Sequence, residues 1–168
     1  DEPAQASFAA LLAAMDKFPE HQIILTYPNA DEGGRQIMSM LQQYAANQPQ
    51  RVLAIKSLGQ LRYLSAVKHA AAVIGNSSSG IIEVPAFHVP TVNIGSRQQG
   101  RLAASSVLHC SATESAIEAA ITKALNHPVT NNSNPYGQGD ASGKVIQMIK
   151  QLQFNPVKTF YDLPGVGL

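Results

Sequence analysis

The sequence is poor in the features that define several large classes of protein. A single cysteine, Cys110, allows no disulfide within the chain and no cysteine cluster for a metal. We therefore expect a reducing, cytoplasmic compartment. Charged residues make up 14%, with 12 basic against 11 acidic, and this sparse, balanced charge excludes an electrostatic nucleic-acid binder or a polybasic membrane-surface protein. No apolar run reaches the roughly 20 residues of a membrane span, and the first residues lack a signal-peptide pattern.

The length allows one domain and a sizeable core. Domains typically contain about 100–200 residues, and the chain has 168, of which 45% are hydrophobic. The chain begins at Asp1 rather than at a methionine and runs directly into a helical pattern. We therefore expect it to be part of a longer protein.

Short apolar runs alternate with amphipathic helical patterns along the first 125 residues. The runs predict strands at 21–27, 52–55, 71–74, 89–94 and 107–110. Helices are predicted at 4–17, around 37–44, and at 59–69, 81–86, 114–125 and 142–154. This alternation predicts an α/β fold, a Rossmann-like doubly wound parallel sheet with right-handed crossovers. An α+β fold with antiparallel hairpins is the weaker alternative, because no two strands are joined by a two-residue turn.

The C-terminal part of the chain is less regular. Residues 126–143 are rich in Asn, Pro, Gly and Ser, and long loops in compact domains are often functional. We predict a Rossmann-like domain over 1–155 and a tail over 156–168. The tail carries Phe160, Tyr161 and Leu163 without a regular pattern, and we expect it to pack on something absent from this chain.

Three loops are predicted at the carboxyl ends of the strands, where parallel sheets bind their ligands. They are residues 27–34, 75–80 and 95–101. In the second loop, Gly75 and Gly80 flank Asn76 and three serines, and a helix follows. Serine hydroxyls and free backbone N–H groups suit phosphate oxygens, so this loop is a candidate diphosphate cradle. A solvent-exposed Ser-rich turn with a helix cap is the equal alternative.

Three charged residues near these loops are further candidates. Glu83 lies in an otherwise apolar stretch and has two oxygens that suit a pair of ribose hydroxyls, although a capping role at the helix start is the alternative. Arg97 and Arg101 flank Gln98-Gln99-Gly100 and suit an anionic ligand, although solvated basic loops are common. The five histidines (21, 69, 88, 109 and 127) have no metal-ligand spacing, so we expect no metal site.

The run GNSSSGIIEVPAFHVPTVNIGSRQQGR at 75–101 resembles the hydrolysing UDP-N-acetylglucosamine 2-epimerases of sialic-acid and related nonulosonic-acid biosynthesis. Further similar segments are TYPNADEGGR at 26–35, SLGQLRYLSAVKH at 57–69, NPYGQGDAS at 134–142 and FYD at 160–162. The resemblance implies the C-terminal, nucleotide-binding half of a two-domain GT-B type enzyme. The N-terminal domain, with the groups that carry out catalysis, is then absent from this chain. The family is thought to eliminate UDP and then add water, which yields N-acetylmannosamine.

The resemblance also implies roles for individual residues. Ser77 and Ser78 match serines that contact the diphosphate, Glu83 a glutamate that binds ribose, and Arg97 an arginine near the diphosphate. Asn29 matches the asparagine of a Pro-Asn loop, and the backbone near Leu58 matches the segment beside uracil. The same motifs contain four further candidate UDP-binding residues, to which no individual roles are assigned: Asn76, Gly80, Gln98 and Arg101.

The implied partners are UDP or UDP-N-acetylglucosamine, the missing N-terminal domain and, in the longer protein, a second copy of the chain. No cofactor, nucleic acid or membrane is implied. His88 stands where a glycine is common in the family, and Ser96 where an acidic residue is common. Three alternatives remain: a UDP-diacetamido sugar as substrate, the donor domain of a GT-B glycosyltransferase, or a non-enzymatic nucleotide-sugar sensor.

Overall fold

The computed structural model describes residues 3–28, 34–126, 129, 133–137, 139–153 and 157. The predicted site residue Asn29 and the tail 156–168, apart from Val157, lie outside the described residues. The chain divides into two compact units, Asp1–Tyr136 and Gly137–Leu168. The predicted division at residue 155 stays a prediction.

Every strand pairing in the described part of the first unit is parallel, which confirms the predicted α/β class. The strands are β1 (Ile23–Thr26), β2 (Val52–Ile55), β3 (Val73–Gly75), β4 (Thr91–Ile94) and β5 (Val107–Cys110). β1 pairs with β2, and β4 lies between β3 and β5. The predicted single sheet is therefore divided, in hydrogen bonding, into ladders of two and three strands. Strands of three or four residues form few ladder bonds, and a shared hydrophobic core joins the two ladders instead.

Helices alternate with these strands, as expected for parallel crossovers. They are α1 (Ala4–Met15), α2 (Gly34–Asn47), α3 (Gly59–His69), α4 (Ser79–Ile82) and α5 (Glu114–Asn126). Pro3 precedes α1, and its carbonyl accepts hydrogen bonds from the N–H groups of Ala6 at 2.9 Å and Ser7 at 3.2 Å. Pro3 is the N-cap residue and provides no side-chain cap, so its carbonyl supplies its contact with the helix start.

The predicted helix over 81–86 is wrong in its detail. The chain forms α4 and then a separate 3-10 helix at Val84–Phe87, with Glu83 between them. Pro85 lies in the first turn of the 3-10 helix. A proline has no N–H with which to continue an α-helical ladder, so the regular helix ends before it.

Side chains alternate across the three-stranded sheet and fill a core on each of its faces. Ile74 and the fully buried Val92 pack with α1, α2 and α5, whereas Val73 packs with Val67 of α3 and Val84. Helices thus cover both faces of the sheet, which confirms the doubly wound arrangement. At the carboxyl ends of β3 and β4, Asn76, Ser77 and Arg97 are exposed.

The second unit contains α6 (Ala141–Gln151), close to the predicted 142–154. An ion pair joins Lys144 to Asp140 at 2.7 Å near its first turn. None of its residues is buried. Among the described residues, no helix combines the length and the apolarity needed to cross a bilayer.

Candidate functional site

The loop after β3 presents polar groups that the fold itself does not use. Asn76 and Ser77 are exposed, and Ser78 is half-buried. In the described structure, the backbone N–H groups of Ser77 and Ser78 donate no hydrogen bond, while the Ser79 N–H lies 3.4 Å from the Ser77 hydroxyl. Two free N–H groups beside two hydroxyls form a set of donors that suits the oxygens of an anion.

The first two residues of α4, in contrast, have structural partners. The Ser79 hydroxyl lies 2.6 Å from the Tyr63 hydroxyl of α3, which ties α3 to α4. Gly80 is buried, and its carbonyl accepts a hydrogen bond from the Thr91 hydroxyl at 2.8 Å. A Cβ atom at Gly80 would lie 2.8 Å from Thr91 Cγ2, so the glycine allows α4 to pack closely on β4. Gly80 therefore has a packing role that the sequence pattern did not reveal.

Glu83 lies where α4 meets the 3-10 helix. Its side chain is exposed and forms no hydrogen bond or ion pair with any described residue. Neither short helix has a side-chain cap at its N-terminus, so the capping role considered for Glu83 is not observed. The carboxylate is therefore available to a ligand.

The loop after β4 combines exposed cations with one buried amide. Arg97 and Arg101 are exposed, and their guanidinium groups contact no acidic or carbonyl partner in the described structure. Gln98, between them, is only 4% exposed, and its Nε2 donates to the Asn76 carbonyl at 2.8 Å. This hydrogen bond joins the loop that carries the serines to the loop that carries the arginines.

Leu58 lies at the other ladder, between β2 and α3, where it is half-buried. No hydrogen bond in the described structure links it to the loops after β3 and β4. The fold thus brings Asn76, Gln98 and their neighbours together, whereas it leaves Leu58 at a separate strand end. The predicted role of Leu58 beside uracil stays a prediction.

The segment around Asn134 contributes contacts that the sequence did not assign to particular residues. Asn134 Nδ2 donates to the Ile82 carbonyl at 3.2 Å, and the Tyr136 hydroxyl donates to the Leu102 carbonyl at 3.0 Å. This segment therefore lies against α4 and against the end of the loop after β4. The resemblance of NPYGQGDAS at 134–142 to the family indicated that this segment matters, but it predicted no contact for Asn134 or Tyr136.

Among the described residues near the carboxyl ends of β4 and β5, the remaining side chains form neither a metal-ligand cluster nor an activated nucleophile. Within the described residues, no three His, Cys, Asp or Glu side chains gather as metal ligands. His109 Nδ1 lies 3.0 Å from the amide nitrogen of the buried Asn93. Burial raises the pKa of the Cys110 thiol, which disfavours the reactive thiolate.

Comparison with known proteins gives the family of the chain. The family model described as UDP-N-acetylglucosamine 2-epimerase matches residues 1–150. The chain is 37% identical over 131 residues to the hydrolysing UDP-N,N'-diacetylbacillosamine 2-epimerase of Legionella pneumophila, covering 78% of this chain and 34% of that protein. It is 33% identical over 147 residues to the UDP-N-acetylglucosamine 2-epimerase of Neisseria meningitidis, covering 84% and 38%. The chain thus spans roughly a third of the length of these relatives.

A solved structure agrees with the fold. The Methanocaldococcus jannaschii UDP-GlcNAc 2-epimerase, crystallised with UDP-GlcNAc and UDP, superposes with a TM-score of 0.64 over 87% of this chain and 41% of that one. The identity is 13%, so this likeness concerns the fold alone. Because the family model matches most of its length, the chain belongs to the UDP-N-acetylglucosamine 2-epimerase family.

Proposed function

We propose that this chain is the UDP-binding domain of a hydrolysing UDP-N-acetylglucosamine 2-epimerase. The observation that carries the proposal is a set of exposed polar and charged groups on and beside the segments that follow β3 and β4. Ser77, Glu83, Arg97 and Arg101 are all exposed, and none of the three charged side chains is paired within the described structure. The fold gives these charged groups no partner in the described structure, and they suit a nucleoside diphosphate.

Each part of UDP has a chemically matched group. Ser77 and Ser78 offer hydroxyl and N–H donors to the diphosphate, and Arg97 offers a charged donor to the same oxygens. Glu83 accepts hydrogen bonds from the two ribose hydroxyls. Leu58 and Asn29 are proposed to lie beside the nucleotide, as the family resemblance implies. Asn76, Gly80, Gln98 and Arg101 complete the proposed site.

Catalysis requires groups beyond these residues. Removal of UDP and addition of water to the sugar need acid–base groups close to the sugar ring. No carboxylate of this chain is assigned that role by the family resemblance. Because the matched part of the chain covers only 34% and 38% of these relatives, we propose that a further, N-terminal domain of a GT-B type enzyme supplies those groups.

The sugar and the setting of the longer protein are also proposals. N-acetylmannosamine and UDP are the proposed products, within sialic-acid or nonulosonic-acid synthesis. A UDP-diacetamido sugar is the second candidate substrate, which the name of the Legionella pneumophila relative supports. The family match favours both over a glycosyltransferase or a sensor. We further propose a cytoplasmic location and a homo-oligomer of the longer protein.

Calorimetric titration of the chain with UDP, UMP and uridine tests the binding role. We expect UDP to bind more tightly than UMP and uridine, because only UDP presents both phosphates to Ser77, Ser78 and Arg97. Affinity should also fall with added salt, since the contact is ionic. Equal affinities for UDP and uridine, or no UDP binding, would overturn the proposal. Release of N-acetylmannosamine from UDP-N-acetylglucosamine by this chain alone would overturn the assignment of catalysis to a further domain.

A further inference from the structure

Gln98 differs from its neighbours in the loop after β4. Arg97 and Gln99 are exposed, whereas Gln98 is 4% exposed and its side chain is directed into the protein. Its Nε2 donates to the Asn76 carbonyl at 2.8 Å, across 22 residues of sequence. The backbone of this loop is anchored separately, through the Gly95 N–H, which donates to the Cys110 carbonyl at 2.9 Å. The amide of Gln98 therefore joins two loops that follow neighbouring strands.

The other half of the same amide is unsatisfied. Gln98 Oε1 is buried and accepts no hydrogen bond in the described structure. A buried acceptor without a donor destabilises the folded state, so an apolar side chain of the same shape would serve the core at least as well. The amide is therefore best explained by its single bond to Asn76. Because Oε1 is also inaccessible, a ligand does not reach it in this arrangement.

We propose that Gln98 is a positioning residue that fixes the two halves of the diphosphate site relative to one another. Asn76 immediately precedes Ser77, and Arg97 immediately precedes Gln98. One hydrogen bond therefore sets the separation between the serine donors on one loop and the guanidinium donor on the other. A ligand that meets preset donors loses less affinity to loop ordering. This inference rests on the proposed UDP site. It assigns Gln98 an indirect role in positioning the loops instead of a direct contact with UDP.

The substitution Gln98→Met separates positioning from general stability. Methionine keeps the length of the side chain, loses the bond to Asn76 and also removes the unsatisfied Oε1. We expect UDP affinity to fall about fivefold, as the loss of one hydrogen bond implies. The thermal unfolding midpoint should stay equal or rise. The matched control is Gln99→Met, the same change at an exposed neighbour, which should alter neither affinity nor midpoint.

Backbone ¹⁵N relaxation of the ligand-free chain provides a readout that does not depend on UDP. In Gln98→Met, we expect the order parameters of Ser77 and Ser78 to fall from the rigid value of about 0.85 towards the flexible range below about 0.6. Those of β4 should not change. Unchanged order parameters would overturn the positioning role whether or not UDP binds. Failure of the unmodified chain to bind UDP, with lowered order parameters in the variant, would overturn only the proposed function.

Discussion

Among the described residues, charged side chains are hydrogen-bonded within the protein at the amino ends of the strands, but not at the carboxyl ends of β3 and β4. At the amino ends of β1 and β2, the Arg51 guanidinium donates to three backbone carbonyls. They are those of Met15 at 2.6 Å, Phe18 at 3.0 Å and His21 at 3.0 Å. A fourth bond reaches Gln48 at 2.7 Å. At the carboxyl ends of β3 and β4, Arg97 and Arg101 have no such partners in the described structure.

The acidic residues show the same contrast. Asp16, beside Arg51, accepts hydrogen bonds from the Tyr44 hydroxyl at 2.7 Å and from Gln48 at 3.2 Å. Glu83, at the opposite edge, accepts none from any described side chain. The donors and acceptors of this network are already hydrogen-bonded to one another. The amino edge therefore stabilises the fold and does not suit a ligand. The carboxyl edge keeps its hydrogen-bonding capacity for a ligand, in keeping with parallel sheets generally.

The largest effect is expected from Arg51→Met, which breaks the amino-edge network. The side chain is only 13% exposed, and its loss removes one donor from each of three carbonyls and from Gln48. Hydrogen bonds to charged groups contribute more than neutral ones, so we expect a loss of about 3 kcal/mol in the free energy of unfolding. Urea denaturation measures it.

The matched control for that prediction is Arg97→Met, the same change at the carboxyl edge. It should leave the free energy of unfolding unchanged while weakening UDP binding. Equal destabilisation by Arg51→Met and Arg97→Met would remove the contrast between the two edges.

The next largest effect is expected on affinity, from Glu83→Gln. The change keeps the shape but removes the charge, so the bonds to the ribose hydroxyls weaken. We expect a loss of about 2 kcal/mol, or roughly 30-fold, in UDP affinity by calorimetry. The loss should be smaller for 2′-deoxyuridine diphosphate, which lacks one of the hydroxyls.

Glu118→Gln, on α5, is the control for the Glu83 variant and should bind UDP normally. Normal UDP affinity in Glu83→Gln would remove Glu83 from the proposed site.

A smaller effect, dependent on pH, is expected from Asp16→Asn. Burial opposes ionisation of Asp16, but hydrogen bonds from Tyr44 and Gln48 and the charge of Arg51 outweigh it, so its pKa is lowered. A carboxyl with a lowered folded-state pKa stabilises the fold above its unfolded pKa of about 4 and loses that contribution as the pH falls through the folded value. Since the side chain is 53% exposed, we expect only about 1 kcal/mol.

Urea denaturation at pH 7 and at pH 2.5 measures this difference. The unmodified chain should be the more stable at pH 7, and the gap to Asp16→Asn should narrow at pH 2.5. A gap that is constant with pH would show that the charge of Asp16 contributes nothing.

The sequence was sufficient for the order of the strands and most helices and for the carboxyl edge, because these depend on local periodicity and on a general property of parallel sheets. The helix predicted over 81–86 is the exception. Strand-by-strand alternation placed a loop after β3 and another after β4, although Gly75 belongs to β3 and Ser79 begins α4. The sequence did not show which polar groups of these loops already have hydrogen-bond partners within the protein. Ser79 and Gly80 resemble Ser77 and Ser78 in sequence, yet their partners, Tyr63 and Thr91, are 16 and 11 residues away. Only tertiary packing makes that distinction.

Among the described residues, His88 is the only non-glycine residue with a positive φ. It follows the 3-10 helix with φ 57° and ψ 28°, a left-handed conformation. The family resemblance implies that glycine is the common residue at this position. An L-residue pays about 1–2 kcal/mol there, whereas glycine does not, although glycine loses more chain entropy on folding.

We therefore expect the smallest effect, a gain of about 0.5 kcal/mol in unfolding free energy, from His88→Gly. His88→Ala is the control, because it removes the ring and keeps the Cβ atom that makes the conformation costly. If alanine stabilises the chain as much as glycine, the imidazole and not the backbone is responsible. UDP affinity should be unchanged in both variants, since the exposed His88 ring is outside the proposed site. A change in affinity would extend the carboxyl-edge site to the turn after Phe87.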